Sequence, residues 1–311
     1  MAFAIGGNAR IRTNSPAENA YNALDTSSRS ISLRQLRLST GRRINNAADD
    51  VAGYITSRAL QARNTSLKAA LNAVGDASNV SYIIMDALEN IGDLMQKIKD
   101  AASNAASGAS GTDEKVALAK AAYRMAQQIK TVVDTTVFGG RQLIDGTFSA
   151  NFVIGTNGTN SLLTLDVNMT AANVDFNVES GYFDLNSMLT GDFAGITGLD
   201  LRLLNEVGSI DQGIFDNENI GLTLTSLSDA LNNVNKVASY VGGIVNRLTS
   251  QEDLLKGQIV NYNAAISRIE DADVAKEQLE LIKAQFLQQA SLISLAQANA
   301  NPQAFLQLIQ A

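Results

Sequence analysis

The sequence predicts a mainly α fold: a long antiparallel coiled-coil or helical-bundle rod formed by the N- and C-terminal segments, with a small β-rich middle segment. Three observations predict it. Proline occurs only at Pro16 and Pro302, near opposite ends, and long helices exclude proline. Apolar residues recur at a 3.5-residue spacing on both sides of the middle, the period of coiled-coil packing. The stretch from Phe138 to about Asn219 is instead rich in Gly, Asn, Thr and Asp with short β-branched runs.

The first helix is expected over Pro16 to Leu38. In "SPAE" Ser15 can cap, Pro16 suits the first helical position and Glu18 can complete a capping box. A connector, "STGRRINNAADD", follows. A second helix is expected from about Asp50 to Ser103. Its seam reads Leu60, Arg63, Leu67, Ala70, Val74, Ala77, Ser81, Ile84, Leu88, Ile91, Met95, Ile98, Ala102, and only Arg63 and Ser81 interrupt the apolar run. After a small-residue loop, a third helix over Asp113 to Thr136 aligns Ala119, Ala122, Ala126, Ile129 and Val133 on one face. Such short connections imply antiparallel neighbours.

In the middle, Asn157-Gly158 between apolar runs is a hairpin signal. Helix returns near Thr223 with the seam Leu227, Leu231, Val234, Ala238, Val241, Val245, Leu248, Glu252, Leu255, Ile259, Tyr262, Ile266, Ile269. Seams of this kind cannot be buried alone. The simplest solution packs the N-terminal helices against the C-terminal one and loops the β-rich middle out at the far end.

Composition narrows the function. An apolar content of 45% suits a folded chain, and a net charge of −7 argues against wholesale nucleic-acid binding. The chain has no Cys and no His, which removes disulfides, thiol catalysis, zinc ligation and imidazole acid–base chemistry. No phosphate loop or other cofactor motif occurs, so no cofactor and no enzymatic activity are expected. Asp49-Asp50 beside Arg42-Arg43 reads as a helix start with a solvated charge cluster. Asp216 to Gly221 has the look of a calcium loop, but Ile220 falls where an oxygen ligand is needed. Asn157 and Asn168 each open a weak glycosylation pattern. The N-terminus lacks the apolar core of a cleaved signal peptide.

The C-terminus is unusual. Lys283 is the last charged side chain, and Phe286, Leu287, Ala290, Ile293, Leu295, Phe305, Leu306, Leu308 and Ile309 follow on a helix whose polar face is Gln, Ser and Asn. Its amides are costly in hydrocarbon, and it lacks the Lys and Arg of a membrane-surface helix, so no membrane insertion is expected. The better reading is a helix buried in a protein assembly; docking within its own monomer is the alternative.

Three segments resemble one family. "LSTGRRINNAADDVAGYITSRAL" (Leu38 to Leu60) is similar to the N-terminal signature of bacterial flagellins. "SRIEDADVAKE" and "KAQFLQQASLISLAQANANPQAFLQLIQA" resemble the flagellin C-terminus, and "FGGRQLIDG" (Phe138 to Gly146) resembles the turn after the third family helix. The start "MAFAIGGNARIRTN" departs from the commoner opening.

The resemblance implies a filament subunit for motility that self-assembles as an extracellular homopolymer. It leaves through the flagellar type III apparatus without a cleaved signal, served by an export chaperone and by hook-associated and cap proteins. It implies an inner-tube domain from residues 1–40 plus 267–311 and a helical rod domain from 41–150 plus 220–266. A variable, solvent-facing segment occupies 151–219. The neutral tail is then buried by neighbouring copies, its polar face toward a central channel. A hook–filament junction protein, which shares terminal similarity but caps rather than propagates, is the alternative; the "SRIEDADVAKE" region favours flagellin. The resemblance also aligns Gln96, Lys97, Ile98, Lys99, Asp100 and Ala101 with a stretch recognised by a vertebrate innate immune receptor. Lys97 and Lys99 stand there in place of arginines, Ala101 in place of a leucine, and Ala121 in place of a contacting glutamate.

Overall fold

The structure is a computed structural model that describes residues 14–108, 110–155, 162–168, 185 and 192–310. Long helices dominate it: α1 (Ser15–Thr40), α2 (Val51–Ala105), α3 (Thr112–Thr135), a short α4 (Leu203–Glu206), α5 (Ile220–Glu270) and α6 (Val274–Gln310). Between α3 and α5 lie three antiparallel strand pairs: β1 (Val137–Phe138) with β2 (Arg141–Gln142), β3 (Thr147–Val153) with β4 (Leu162–Asn168), and β5 (Asp192–Phe193) with β6 (Ile196–Thr197). Phe148 pairs with Val167 and Phe152 with Leu163, so the expected hairpin is present, while its Asn157-Gly158 turn lies outside the described residues. Asn168 keeps its place at the end of β4, but its side chain is outside them too.

Contacts divide the chain into two compact units. Residues up to Asn64 join those from Val260 onward in one; Thr65–Ile259 form the other. The boundary therefore runs through α2 and α5.

In the second unit the α2 seam is buried at every position from Leu67 to Ala102, and Ser81 stays within it by donating its hydroxyl to the Ala77 carbonyl (2.8 Å). That bond satisfies a hydroxyl which would otherwise be costly to bury. The five α3 residues expected on one face are all fully buried. On α5 the seam is wider than a strict heptad stripe. Leu227, Val234, Val241, Leu248 and Leu255 are buried, but Ala230, Val237 and Ile244 are buried in preference to the half-buried Leu231, Ala238 and Val245. A helix packed on more than one neighbour buries a broad stripe rather than a coiled-coil line.

The middle segment has its own apolar interior: Leu163, Leu165, Val167, Leu185, Phe193, Leu199, Leu201 and Phe215 are buried. Ala194 adopts a left-handed φ of 54°, and Asn233 of α5, itself buried, donates its amide to the Ala194 carbonyl (3.0 Å). Gln251 does the same for the Ile154 carbonyl at the end of β3 (2.8 Å).

Two expectations about the helices need correction. The α1 cap is Asn14, not Ser15: the Asn14 side-chain Oδ1 accepts the Ala17 N–H (3.3 Å). Asn serves as well as Ser at this position, and it lies one residue earlier. On α2, Arg63 is exposed and Asn64 takes the inward place. A guanidinium reaches water more cheaply than it can be desolvated, so the seam turns by one residue there.

The α1–α2 connector is tightly built. Gly41 ends α1 in the left-handed region (φ 70°), the usual helix-terminating geometry for glycine. Asp49 accepts the N–H groups of Asn46 and Asn45, which hold its carboxyl below the usual carboxylate range. Its contribution to stability is therefore present above the unfolded carboxylate pKa and is lost as pH falls through its own lowered value. Asp50 caps α2 by accepting the Gly53 N–H (2.9 Å). A Cβ on Gly53 would lie 2.6 Å from Asp50 Oδ2 and 2.7 Å from Ile44 Cδ1. Gly53→Ala is thus expected to displace both the cap and the buried Ile44, at a cost of about 1–3 kcal/mol. Calorimetry should register a lower midpoint; an unchanged one would show that the connector yields freely.

Candidate assembly site

Helices α1 and α6 pair antiparallel in the first unit, as two contacts show. The Asn14 side-chain amide donates to the Ala298 carbonyl (2.9 Å) at one end, and Arg34 meets Glu277 (2.6 Å) at the other. Heptad spacing places Glu277, Ala284, Ser291 and Ala298, with Leu281, Gln288 and Leu295, on one side of α6, and all are buried or half-buried. The opposing α1 stripe is Ala17, Ala20, Leu24, Ser27, Ile31, Arg34 and Leu38. Each stripe mixes small side chains (Ala17, Ala20 and Ser27; Ala284, Ser291 and Ala298) with larger apolar and polar ones, so the apolar area buried between them is modest.

Two glutamates tie the chain ends together. Glu277, 5% exposed, accepts from Arg34 (2.6 Å) and Arg37 (3.3 Å) of α1. Glu270, 7% exposed at the end of α5, accepts from Arg42 (3.0 Å) and from the Gln61 amide (2.5 Å). The Arg43 N–H also donates to the Glu270 carbonyl (2.6 Å), and the Ala272 N–H to the Gly41 carbonyl (2.9 Å). Buried carboxylates persist only when paired and hydrogen-bonded in this way.

The other side of α6 is apolar and open. Leu279, Ile282, Phe286 and Ile293 form a stripe opposite the α1-facing heptad and are 64%, 47%, 67% and 68% exposed. Leu287, Ala290 and Leu292 flank it, also exposed. The sequence-predicted residues therefore divide. Phe286, Leu287, Ala290 and Ile293 share the open surface, while Leu295 is half-buried on the α1 side. The side chains of Phe305, Leu306, Leu308 and Ile309 lie outside the described residues. Leu279 and Ile282 were hidden from sequence reading by Lys276, Glu280 and Lys283 around them, although their i, i+3, i+7 spacing to Phe286 was the available signal.

The receptor-like stretch sits on α2. Gln96, Lys97 and Asp100 are exposed, with the Gln96 amide donating to Asp100 (3.0 Å), whereas Ile98 and Ala101 belong to the core.

Residues 11–149 match the bacterial flagellin N-terminal helical region, and residues 224–309 match the bacterial flagellin C-terminal helical region. The chain belongs to the bacterial flagellins. A flagellin of Bacillus subtilis is 29% identical over 97% of this chain and 100% of its own length. A flagellin of Halalkalibacterium halodurans is 28% identical over 96% and 99%, and flagellin D of Vibrio cholerae is 26% identical over 96% and 99%. The family consists of structural proteins that self-assemble into the extracellular flagellar filament, and this chain is such a filament subunit. The junction-protein alternative is not favoured: the three relatives, matched along almost their whole length, are flagellins. Among the described residues no helix is long and apolar enough to cross a membrane.

Proposed function

We propose that subunits join through the open face of α6, with Phe286, Leu287, Ala290 and Ile293 at its centre and Phe305, Leu306, Leu308 and Ile309 completing the interface, while Leu295 serves the α1 side instead. The supporting observation is the stripe of large exposed apolar side chains opposite the α1-facing heptad. Contiguous apolar surface of this kind marks an interaction site, and a filament needs a contact that repeats without closing.

On the same reading, residues 1–40 plus 267–311 build the inner tube, 41–150 plus 220–266 the surrounding rod domain, and 151–219 the outward variable segment. The chain is not an enzyme, consistent with its lack of His and Cys. It is exported by the flagellar type III apparatus and meets an export chaperone, hook-associated proteins and a cap on the way. Gln96 to Ala101 is the candidate receptor epitope, offered through Gln96, Lys97 and Asp100. Lysine lacks the two-pronged fork of arginine, so recognition is expected to be weak.

The test is Phe286→Ser with Ile293→Ser. Both positions are exposed in the single chain, so circular dichroism of the monomer should not change. Sedimentable polymer should be lost. Normal polymerisation of the double variant would refute the assignment.

A further inference from the structure

The second unit carries a groove between α2 and α5 of about 470 Å³. Its floor is apolar, from Met85, Leu88, Leu231 and Ala238, and Gly92 leaves it open on the α2 side. Its rim is acidic: Glu89 and Asp93 stand one helical turn apart and are both exposed. The exposed side of α3 has the complementary character. Lys120 and Arg124 also stand one turn apart, flanked by the exposed Ala117 and Ala121. Among the described residues none of these four charged groups forms a salt bridge, and neither does Lys97 with Asp93.

We propose that the Lys120–Arg124 face of α3 docks on the Glu89–Asp93 groove of a second copy, as a lateral contact of the filament. The proposal rests on the filament-subunit reading and adds a contact distinct from the α6 face. A heterologous contact needs two different, complementary patches on one chain, and here both are present. Each pair has the i, i+4 spacing of a helix surface, so two helices lying side by side bring cation to anion twice. The alanines let α3 approach, and the groove accepts them against its apolar floor. Charge complementarity of this kind selects the partner and its register more than it adds affinity.

The experiment reverses the charges. Lys120→Glu with Arg124→Glu, or Glu89→Lys with Asp93→Lys, should each raise the critical concentration for polymerisation at least tenfold, with monomer circular dichroism unchanged. An equimolar mixture of the two variants should polymerise again, because every contact can then join Glu or Asp to Lys or Arg. A chain with all four reversals should behave like the original sequence. Either double reversal polymerising normally, or no recovery in the mixture and the fourfold variant, overturns the proposal. The Phe286→Ser, Ile293→Ser variant run alongside separates the two readings: if it fails to polymerise while the reversals assemble normally, only the lateral contact is wrong.

Discussion

Ile91→Asp should unfold the helical core of the Thr65–Ile259 unit or leave it marginal. Ile91 is fully buried midway along a seam in which every member from Leu67 to Ala102 is buried. The change removes a large apolar side chain, worth about 2–5 kcal/mol by itself. It also buries a carboxyl, and that group must protonate or draw water inward. A domain has only about 5–15 kcal/mol of net stability. The expected result is a thermal midpoint lower by roughly 10–15 °C or more, followed by far-ultraviolet circular dichroism. Arg63→Asp, on the same helix but exposed, is the control and should shift stability by less than about 0.5 kcal/mol. Equal melting of the two variants would mean that the α2 seam does not face the core.

Glu277→Ala should loosen α1 from α6 while sparing the other unit. The change strands Arg34 and Arg37, whose side chains are only 23% and 16% exposed. Breaking one partner of a buried ion pair costs about 3–5 kcal/mol, and the residual solvent contact of the arginines places this site at or below the lower end. Native-state hydrogen exchange is the suitable measurement. Amides of Leu24 to Leu38 should exchange on the order of a hundredfold faster, and those of Ile84 to Ile98 at their original rate. Glu277→Gln, which keeps an acceptor, should lie between. Unchanged protection in α1 would show that the remaining α1–α6 contacts suffice without the carboxylate.

Much of the fold was legible because one physical rule governs long stretches. The seam from Leu67 to Ala102 and the α3 face from Ala119 to Val133 follow from periodicity alone, since an apolar residue repeated at that spacing has nowhere to go but inward. The broad stripe on α5 was not legible. Whether Ala230 or Leu231 turns inward depends on how many neighbours surround the helix, which spacing on one helix does not encode. The tail was legible in its apolar character but not in its geometry. Its larger apolar residues face outward, and the side that faces α1 is set by Glu277 and Ala298, whose partners Arg34, Arg37 and Asn14 lie far away in sequence. Glu270 is similar, since its donors Arg42 and Gln61 belong to the other end of the chain. Long-range polar pairing leaves no local signature. The acidic rim and cationic stripe were overlooked for a different reason: charged residues on helices are usually solvated, and only their placement around a groove sets them apart.

The pairing of α1 with α6 also fixes an order of events in time. The bond from Asn14 to the Ala298 carbonyl spans 284 residues of chain. Closing so long a loop carries an entropic penalty before any contact repays it, and contacts of such separation slow folding. During synthesis the constraint is stricter, because the partner does not yet exist. At about 5–20 residues per second, α1 waits roughly 15–60 s for the strip of α6 that will cover it. A solitary helix of 26 residues rich in Ser, with much of its stability owed to tertiary packing, is marginal in water over that interval. The residues of α6, translated long after α1, therefore decide when α1 can become permanent.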